Sequence, residues 1–292
     1  MSANAASMHT DISAVVLNYR RADLTSACVD SLIGQVAAIA VVDNSGDDEH
    51  GEQLIQALAR LRTHAGQTLI EHIPAECNLG FAKGIQKGLD HLSRRSRWTA
   101  FLIINNDAIA APGMLKQLVD TLELHAGRAV VAPEACTDGT PSIRWYHRVF
   151  ALVLTRKQLG AFPYLSGACL LVPAPLTTPF LFDPDFFMYG EDIELSWRLA
   201  RQGVALVTAP CRFDHIGSAS SGLGSPFYEY HLNRGHLMLA RKLAGNRINF
   251  LALLAGRYLS LPVRALFRSA RAISMTPLVA LVRAFGTSPA KP

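Results

Sequence analysis

Three short polar runs each follow an apolar stretch and carry side chains able to hold a ligand: Asn18-Tyr19-Arg20, Asp43-Asn44-Ser45 and Asn105-Asn106-Asp107. A carboxylate placed as Asp43 is can accept a hydrogen bond from a base N–H or a ribose hydroxyl, the work an acidic residue does after the second strand of dinucleotide folds. The oxygens of Asn105, Asn106 and Asp107 are hard ligands suited to Mg2+ or Mn2+, ions that often bridge a protein carboxylate to a diphosphate. One carboxylate makes a thin site, and His215, in Phe213-Asp214-His215, is the candidate to complete it. Further on, Phe186-Phe187-Met188-Tyr189-Gly190-Glu191-Asp192 brings two adjacent carboxylates to the start of a helix pattern. Alone, Asp192 there reads as a cap on unpaired backbone amides.

The elements that must position these residues alternate. Apolar runs at 12–18, 38–42, 68–73 and 100–104 read as buried strands. Helix patterns at 22–34, 50–62 and 80–93, and another beginning after Pro112, lie between and after them. That order predicts an α/β fold with a mostly parallel central sheet and helices on both faces. Right-handed crossovers gather the loops leaving the carboxyl ends of such strands on one edge, where ligands bind. The alternation weakens after about residue 128. A further strand is expected at 165–173, entered through Ser166-Gly167, and a helix at 193–202 with Ile193 and Trp197 on one face. Tail helices are expected at 226–243, 247–271 and 277–285. The resulting division is a disordered N-terminus (1–11), an α/β unit (12–225) and a helical C-terminal extension (226–292).

Half of the 292 residues are hydrophobic and 17% are charged, which suffices for a sizeable core. The net charge of +5 is unevenly placed: residues 230–292 hold ten Lys and Arg and no Asp or Glu, so the first 229 residues sum to −5. A basic tail interleaved with apolar residues suits helices lying on the anionic inner leaflet of a membrane. A helical subdomain packed on the head with its arginines outward, or a homodimer interface, fits the same pattern. No nucleic-acid motif is present, so nucleic acid is not an expected partner. No window reaches the ~18 uninterrupted apolar residues of a spanning helix, the tail being broken by Arg257, Pro262, Arg264 and Arg268. The opening residues lack the basic and apolar regions of a signal peptide. Cys28, Cys77, Cys136, Cys169 and Cys211 show neither zinc spacing nor a disulfide framework. Reduced, buried thiols in a cytoplasmic protein, peripheral on the inner membrane, are the expectation.

No glycine follows the first strand and no phosphate-loop pattern occurs, which disfavours a dinucleotide dehydrogenase and a nucleotidyltransferase. The ordered set Val15-Val16-Leu17-Asn18-Tyr19, Val41-Val42-Asp43-Asn44-Ser45, Asn78-Leu79-Gly80-Phe81-Ala82-Lys83-Gly84, Leu102 to Asp107 and Phe186 to Glu194 resembles family 2 glycosyltransferases, the inverting group with the A-type nucleotide-sugar fold. The likeness spans about residues 12–243. It is nearest to the bacterial branch that includes rhamnosyl- and galactofuranosyltransferases.

The resemblance implies a role for each motif. Asp43 would bind the base or ribose, with Asn18, Tyr19 and Asn44 in that pocket. Asn78, Gly80 and Lys83 would border the donor sugar and diphosphate, with Asn105 and Asn106 on the donor side. Asp107 and His215 would hold Mn2+ or Mg2+. Asp192 would be the general base and Glu191 a positioning group. Tyr189, Gly167 and Trp197 would form the acceptor pocket. Asn105 stands where the family's Asp-x-Asp begins, so either the metal is held less tightly or more of its hold falls on His215. Glu194 replaces an Asp and is expected to be an exposed helix residue. The Gln-x-x-Arg-Trp motif of processive synthases is absent, so one sugar per acceptor is expected. The acceptor would be a hydroxyl of a cell-surface glycan or lipid-linked precursor. The competing reading is an inactive sugar-binding or scaffold subunit.

Overall fold

The computed structural model describes residues 9–215, 222 and 224–286. The first half is built as the hydrophobic pattern requires. β1 (His9–Asn18), β2 (Val36–Asp43), β3 (Leu69–Pro74) and β4 (Ala100–Asn105) lie parallel, linked through α1 (Ala22–Leu32), α2 (Asp48–Arg62) and α3 (Gly80–Arg95). Successive side chains of a strand point to opposite faces. Accordingly Ala14 and Val16 join one core with Ile39, Leu54, Leu58 and Leu102, and Val15 joins the other with Val42, Ile85, Leu89 and Phe101. Register places Asn18 opposite Asp43 and Leu17 opposite Asn105, so the three polar runs leave the sheet along one edge.

The second half closes the sheet with mixed polarity. After β5 (Ala108–Ala110) and α4 (Met114–Leu124) come β6 (Ala129–Cys136), then β7 (Ile143–His147), β8 (Leu152–Leu154), β9 (Ala161–Leu165) and β10 (Cys169–Pro173). α5 (Glu191–Arg201) leads into β11 (Ala205–His215). The eight-stranded sheet runs β3-β2-β1-β4-β10-β6-β11-β5, with β10 antiparallel to both neighbours and β5 antiparallel to β11. Strands β8-β7-β9 form a separate small antiparallel sheet.

Three helices follow: α6 (Pro226–Lys242), α7 (Arg247–Ala272) and α8 (Thr276–Gly286). Their ends fall close to those expected. A third core joins Tyr146, Phe186 and Ile193 with Leu239, Leu253 and Leu281, so the extension shares a core with the α/β unit. Its arginines do not all face outward. Arg257 is fully buried, donating to the carbonyls of His236 at 2.5 Å, Leu253 at 2.9 Å and Arg148 at 3.0 Å. Arg264 donates to His236 Nε2 at 2.8 Å, and Arg268 pairs with Glu229. Gly256 makes the approach tight enough for these bonds, since a Cβ there would meet the Val149 carbonyl at 2.4 Å.

Three expectations change. Strand β1 begins at His9, so residues 9–11 are ordered strand; residues 1–8, like 287–292 of the extension, lie outside the described residues. Helix α7 runs unbroken for 26 residues through Pro262 and is, among the described residues, the one helix long and apolar enough to cross a membrane by length and composition. Cys77 is exposed, whereas the other four cysteines are buried; all five are free.

Candidate active site

A cleft of about 450 Å³ opens at the polar edge of the sheet. Tyr19 enters it from the end of β1, Asn105, Asn106 and Asp107 from the end of β4, and His215 from the end of β11. Gly167 enters just before β10, and Tyr189, Glu191 and Asp192 come from the start of α5. Residues as distant in sequence as Tyr19 and His215 thus share one cavity because their elements end on one edge.

Asp107 and His215 meet through the antiparallel pairing of β5 with β11, which sets His215 opposite Ala108. Asp107 Oδ1 lies 3.2 Å from His215 Nε2, and Asn105 Nδ2 lies 3.3 Å from the same nitrogen. Adjacent corners of an octahedron of ~2.1 Å bonds are about 3 Å apart, so the pair fits two ligands of one Mg2+- or Mn2+-like ion. Among the described residues no group of three or more His, Cys, Asp or Glu could hold a metal. An ion here therefore needs ligands beyond this pair.

The carboxylate pair is prepared differently. Tyr189 and Gly190 both adopt left-handed backbone, φ 65° and 104°, a conformation uncommon for a residue with a side chain. The sharp turn starts α5 with Glu191 and Asp192 toward the cleft. Asp192 Oδ1 accepts from Ile193 N at 2.8 Å and Oδ2 from Gly167 N at 3.4 Å. Burial raises the Asp192 carboxyl, while these amides and the charge of Arg144 oppose the rise. Burial and the neighbouring Asp192 charge raise Glu191 further, and its Oε2 is buried with no hydrogen-bond partner among the described residues. The two amides on Asp192 favour its charged form and Glu191 Oε2 has no such donor among the described residues, which assigns the first ionisation to Asp192.

Several residues expected in the site serve it from behind. Asn18 is fully buried: its Nδ2 donates to Asp43 Oδ1 at 3.0 Å and its Oδ1 accepts from Thr25 at 2.7 Å. It fixes Asp43 rather than lining a pocket. Asn44 donates to Asn78 Oδ1 at 2.9 Å and accepts from Leu79 N at 3.0 Å, locking the Asp43 loop to the start of α3. Asn78 Oδ1 also accepts from Gly80 N at 2.9 Å. Gly80, at φ 77°, would drive a Cβ to 2.4 Å from the Phe187 carbonyl, the same carbonyl that accepts from Phe81 N at 2.7 Å. This motif therefore holds the strip leading to Asp192. Lys83 points away, exposed on α3 beside a separate small hollow. Trp197 is one turn too far along α5 and packs in the third core, 4.8 Å from the Phe162 ring. Glu194 is buried rather than exposed, paired with Arg198 at 3.1 Å.

Asp43 itself does not line the cleft. Burial would raise its carboxyl, but hydrogen bonds from His72, Ser45 and Asn18 outweigh that and hold it well below the usual range. Its Oδ2 meets only the long 3.5 Å contact to His72, which leaves that oxygen for a ligand. The sequence reading missed the cleft wall made by Arg144, Ser142, Tyr164 and Asp138, contributed by β7, β9 and the turn before them. Arg144 is a cation in a cleft of carboxylates, and its position in the unparsed stretch after residue 128 was the available signal.

The chain has solved relatives in shape. It is similar to the mannosyltransferase PcManGT from Pyrobaculum calidifontis in complex with GDP-Man and Mn2+, at TM-score 0.58 and 15% identity over 97% of this chain and 88% of that one. It is also similar to glucosyl-3-phosphoglycerate synthase from Mycobacterium tuberculosis in complex with Mn2+, UDP-Glc and phosphoglyceric acid, at TM-score 0.50 and 17% identity over 81% of each chain. Both likenesses are of fold. No curated protein matches the chain. The profile of Glycosyl transferase family 2 matches residues 13–174, more than half of the sequence. With that match spanning β1 to β10 and the cleft at its edge, the chain belongs to glycosyl transferase family 2 and is a glycosyltransferase.

Proposed function

We propose that this enzyme transfers one sugar, rhamnose or a close relative, from a nucleoside-diphosphate donor to a hydroxyl of a cell-surface glycan or its lipid-linked precursor. Transfer occurs on the cytoplasmic side, with inversion at the anomeric carbon. The observation that carries this reading is that Asp107–His215 and Glu191–Asp192 line one cavity of ligand size.

Each group has work to do in that cavity or behind its wall. Asp43 Oδ2 accepts from the base or ribose, and Asn18 and the Asn44–Asn78 lock keep it in place. Asp107 and His215 would hold Mn2+ or Mg2+, which as a Lewis acid offsets the charge that grows on the departing diphosphate. Arg144 adds a fixed positive charge to the same cavity. Asp192 takes the proton from the acceptor hydroxyl as that oxygen attacks the anomeric carbon from the face opposite the diphosphate. Glu191, protonated, donates a hydrogen bond to the acceptor or donor sugar and does not compete for the proton. The motif resemblance supports rhamnose; the absent synthase motif supports transfer of one unit.

Titration calorimetry with a panel of nucleotide-sugars, with and without Mn2+, tests this. Deoxythymidine-diphosphate rhamnose should bind, more tightly with Mn2+, and Asp107→Asn should remove the metal dependence. Failure of every nucleotide-sugar to bind would overturn the donor-site assignment.

A further inference from the structure

Helix α7 is amphipathic in the wrong sense for a helix packed on a water-soluble protein. Its inner face buries Arg257, with Arg264 and Arg268 half-buried beside Leu253 and Leu261. Its outer face carries Ile248, Leu251, Leu259, Val263, Leu266 and Phe267, all exposed, Phe267 at 67%. With Ala255 and Tyr258, also exposed, these positions recur every three to four residues, so they form one continuous stripe along ~29 Å of helix. The turn into α8 continues it through Ile273, 95% exposed, and Met275; α8 adds Val279 and Val282 on its exposed side. Scattered exposed apolar residues need no explanation, but a contiguous stripe of this extent marks an interaction surface.

We propose that the outer faces of α7 and α8 and the turn between them lie in the interfacial layer of an anionic lipid bilayer, docking the enzyme without spanning the membrane. Three observations select this occupant. First, Arg247, Arg271 and Arg283 are exposed at the ends of the two helices, and residues 230–292 contain no Asp or Glu. Basic residues flanking an apolar face match an anionic headgroup layer. Second, a second copy docking through the same face by two-fold symmetry would bring these arginines together with no carboxylate in the region to pair them. Third, a spanning orientation would require withdrawing Arg257 from the carbonyls of His236, Leu253 and Arg148 and exposing its charge to lipid. The helix is therefore fixed on its inner side and free on its outer side.

The surface reaches the active site through α6. Its Tyr228 ring packs 5.1 Å from Tyr189 and its His231 ring stacks 4.8 Å from Phe187, while α6 packs against both α7 and α8. A bilayer held under α7 and α8 thus sits one helix layer from the strip that carries Asp192. The proposal stands on the surface alone and does not depend on the acceptor assignment.

Flotation of the full chain with phosphatidylcholine vesicles, with and without phosphatidylglycerol, tests it. The protein should float with the anionic vesicles and much less with the neutral ones. The exposed triple variant Leu259→Ser, Val263→Ser, Phe267→Ser should lose binding about tenfold or more with its thermal melt and nucleotide-sugar binding unchanged. Phe267→Trp gives an independent reading: its added fluorescence should be quenched by brominated acyl chains. Absence of flotation, equal flotation of the triple variant, or no quenching of the indole introduced by Phe267→Trp would overturn the proposal. So would a vesicle-free dimer that the same three serines dissociate.

Discussion

Helices α2 and α7 are both amphipathic and both pack on the same protein, yet they present opposite faces to it. On α2, Leu54, Leu58 and Leu61 are buried, while Glu49, Glu52, Arg60 and Arg62 are exposed. On α7, Arg257 goes inward with Leu253, Leu261 and Ala265, Arg264 and Arg268 are half-buried, and a leucine, valine and phenylalanine stripe goes outward. The two helices are held by different forces. α2 is held by removing apolar area from water, roughly 25 cal/mol per Å². α7 is held in part by the Arg257 guanidinium reaching backbone carbonyls, bonds that offset the cost of burying its charge. The contrast shows that burial pattern follows what lies on the far side of an element. Water lies beyond α2; the inverted face of α7 calls for a partner that is not water.

Substitutions can break that contrast. The largest stability loss should come from Arg257→Ala, which removes the guanidinium donors from three carbonyls and leaves a cavity between α6, α7 and the β7–β8 turn; about 3–5 kcal/mol is expected in urea unfolding. If Arg257 were dispensable, the inward arginines would be incidental. Gly80→Ala should cost about 1–3 kcal/mol, because the left-handed backbone resists a side chain and the Phe187 carbonyl must move. Its transfer rate should fall along with its melting temperature, since Phe187 leads to Asp192. Leu259→Ala, by contrast, should change stability in water by no more than ~0.5 kcal/mol, the mirror image of what Leu58→Ala would do in α2.

The acid side of the rate profile sharpens the head's half of the comparison. Burial raises the Asp192 carboxyl and Arg144 pulls it back, and the base works only when ionised. Transfer should therefore be lost on acidification at a pH above the ordinary aspartate range. Arg144→Gln removes the opposing charge, so the loss should begin at a still higher pH. An acid limb that stays in place in this variant would mean Arg144 does not act on Asp192.

Much of the scaffold was legible because long apolar runs have few alternatives. The strands at 12–18, 38–42 and 100–104 and the three tail helices emerge near their expected limits. The second sheet was not legible: β7 and β8 have three to five residues, half-exposed and with no Gly, Pro, Asn or Asp in the turn between them, and pairing rather than pattern defines them. The cleft residues at strand ends were found because strand ends converge. What sequence could not supply was side-chain direction. Asn18, Asn44 and Asn78 occupy positions equally fit to meet a ligand or a neighbouring loop, and they meet each other's loops. Glu194 has Arg198 four residues on, the pattern of a solvated helix pair, yet Arg198 also reaches the Leu181 carbonyl at 2.6 Å and the segment before α5 covers both. Asp107 and His215 could be paired by chemistry before structure, and β5 against β11 supplies the contact.

In the proposed mechanism Asp192, not its neighbour Glu191, removes the acceptor's proton. Nucleoside diphosphate release by Asp192→Asn under saturating donor and Mn2+, with donor affinity measured alongside, tests it most directly. A kcat lower by about 10²–10⁴-fold with donor binding preserved is expected. A kcat within a few-fold of the parent enzyme would contradict it.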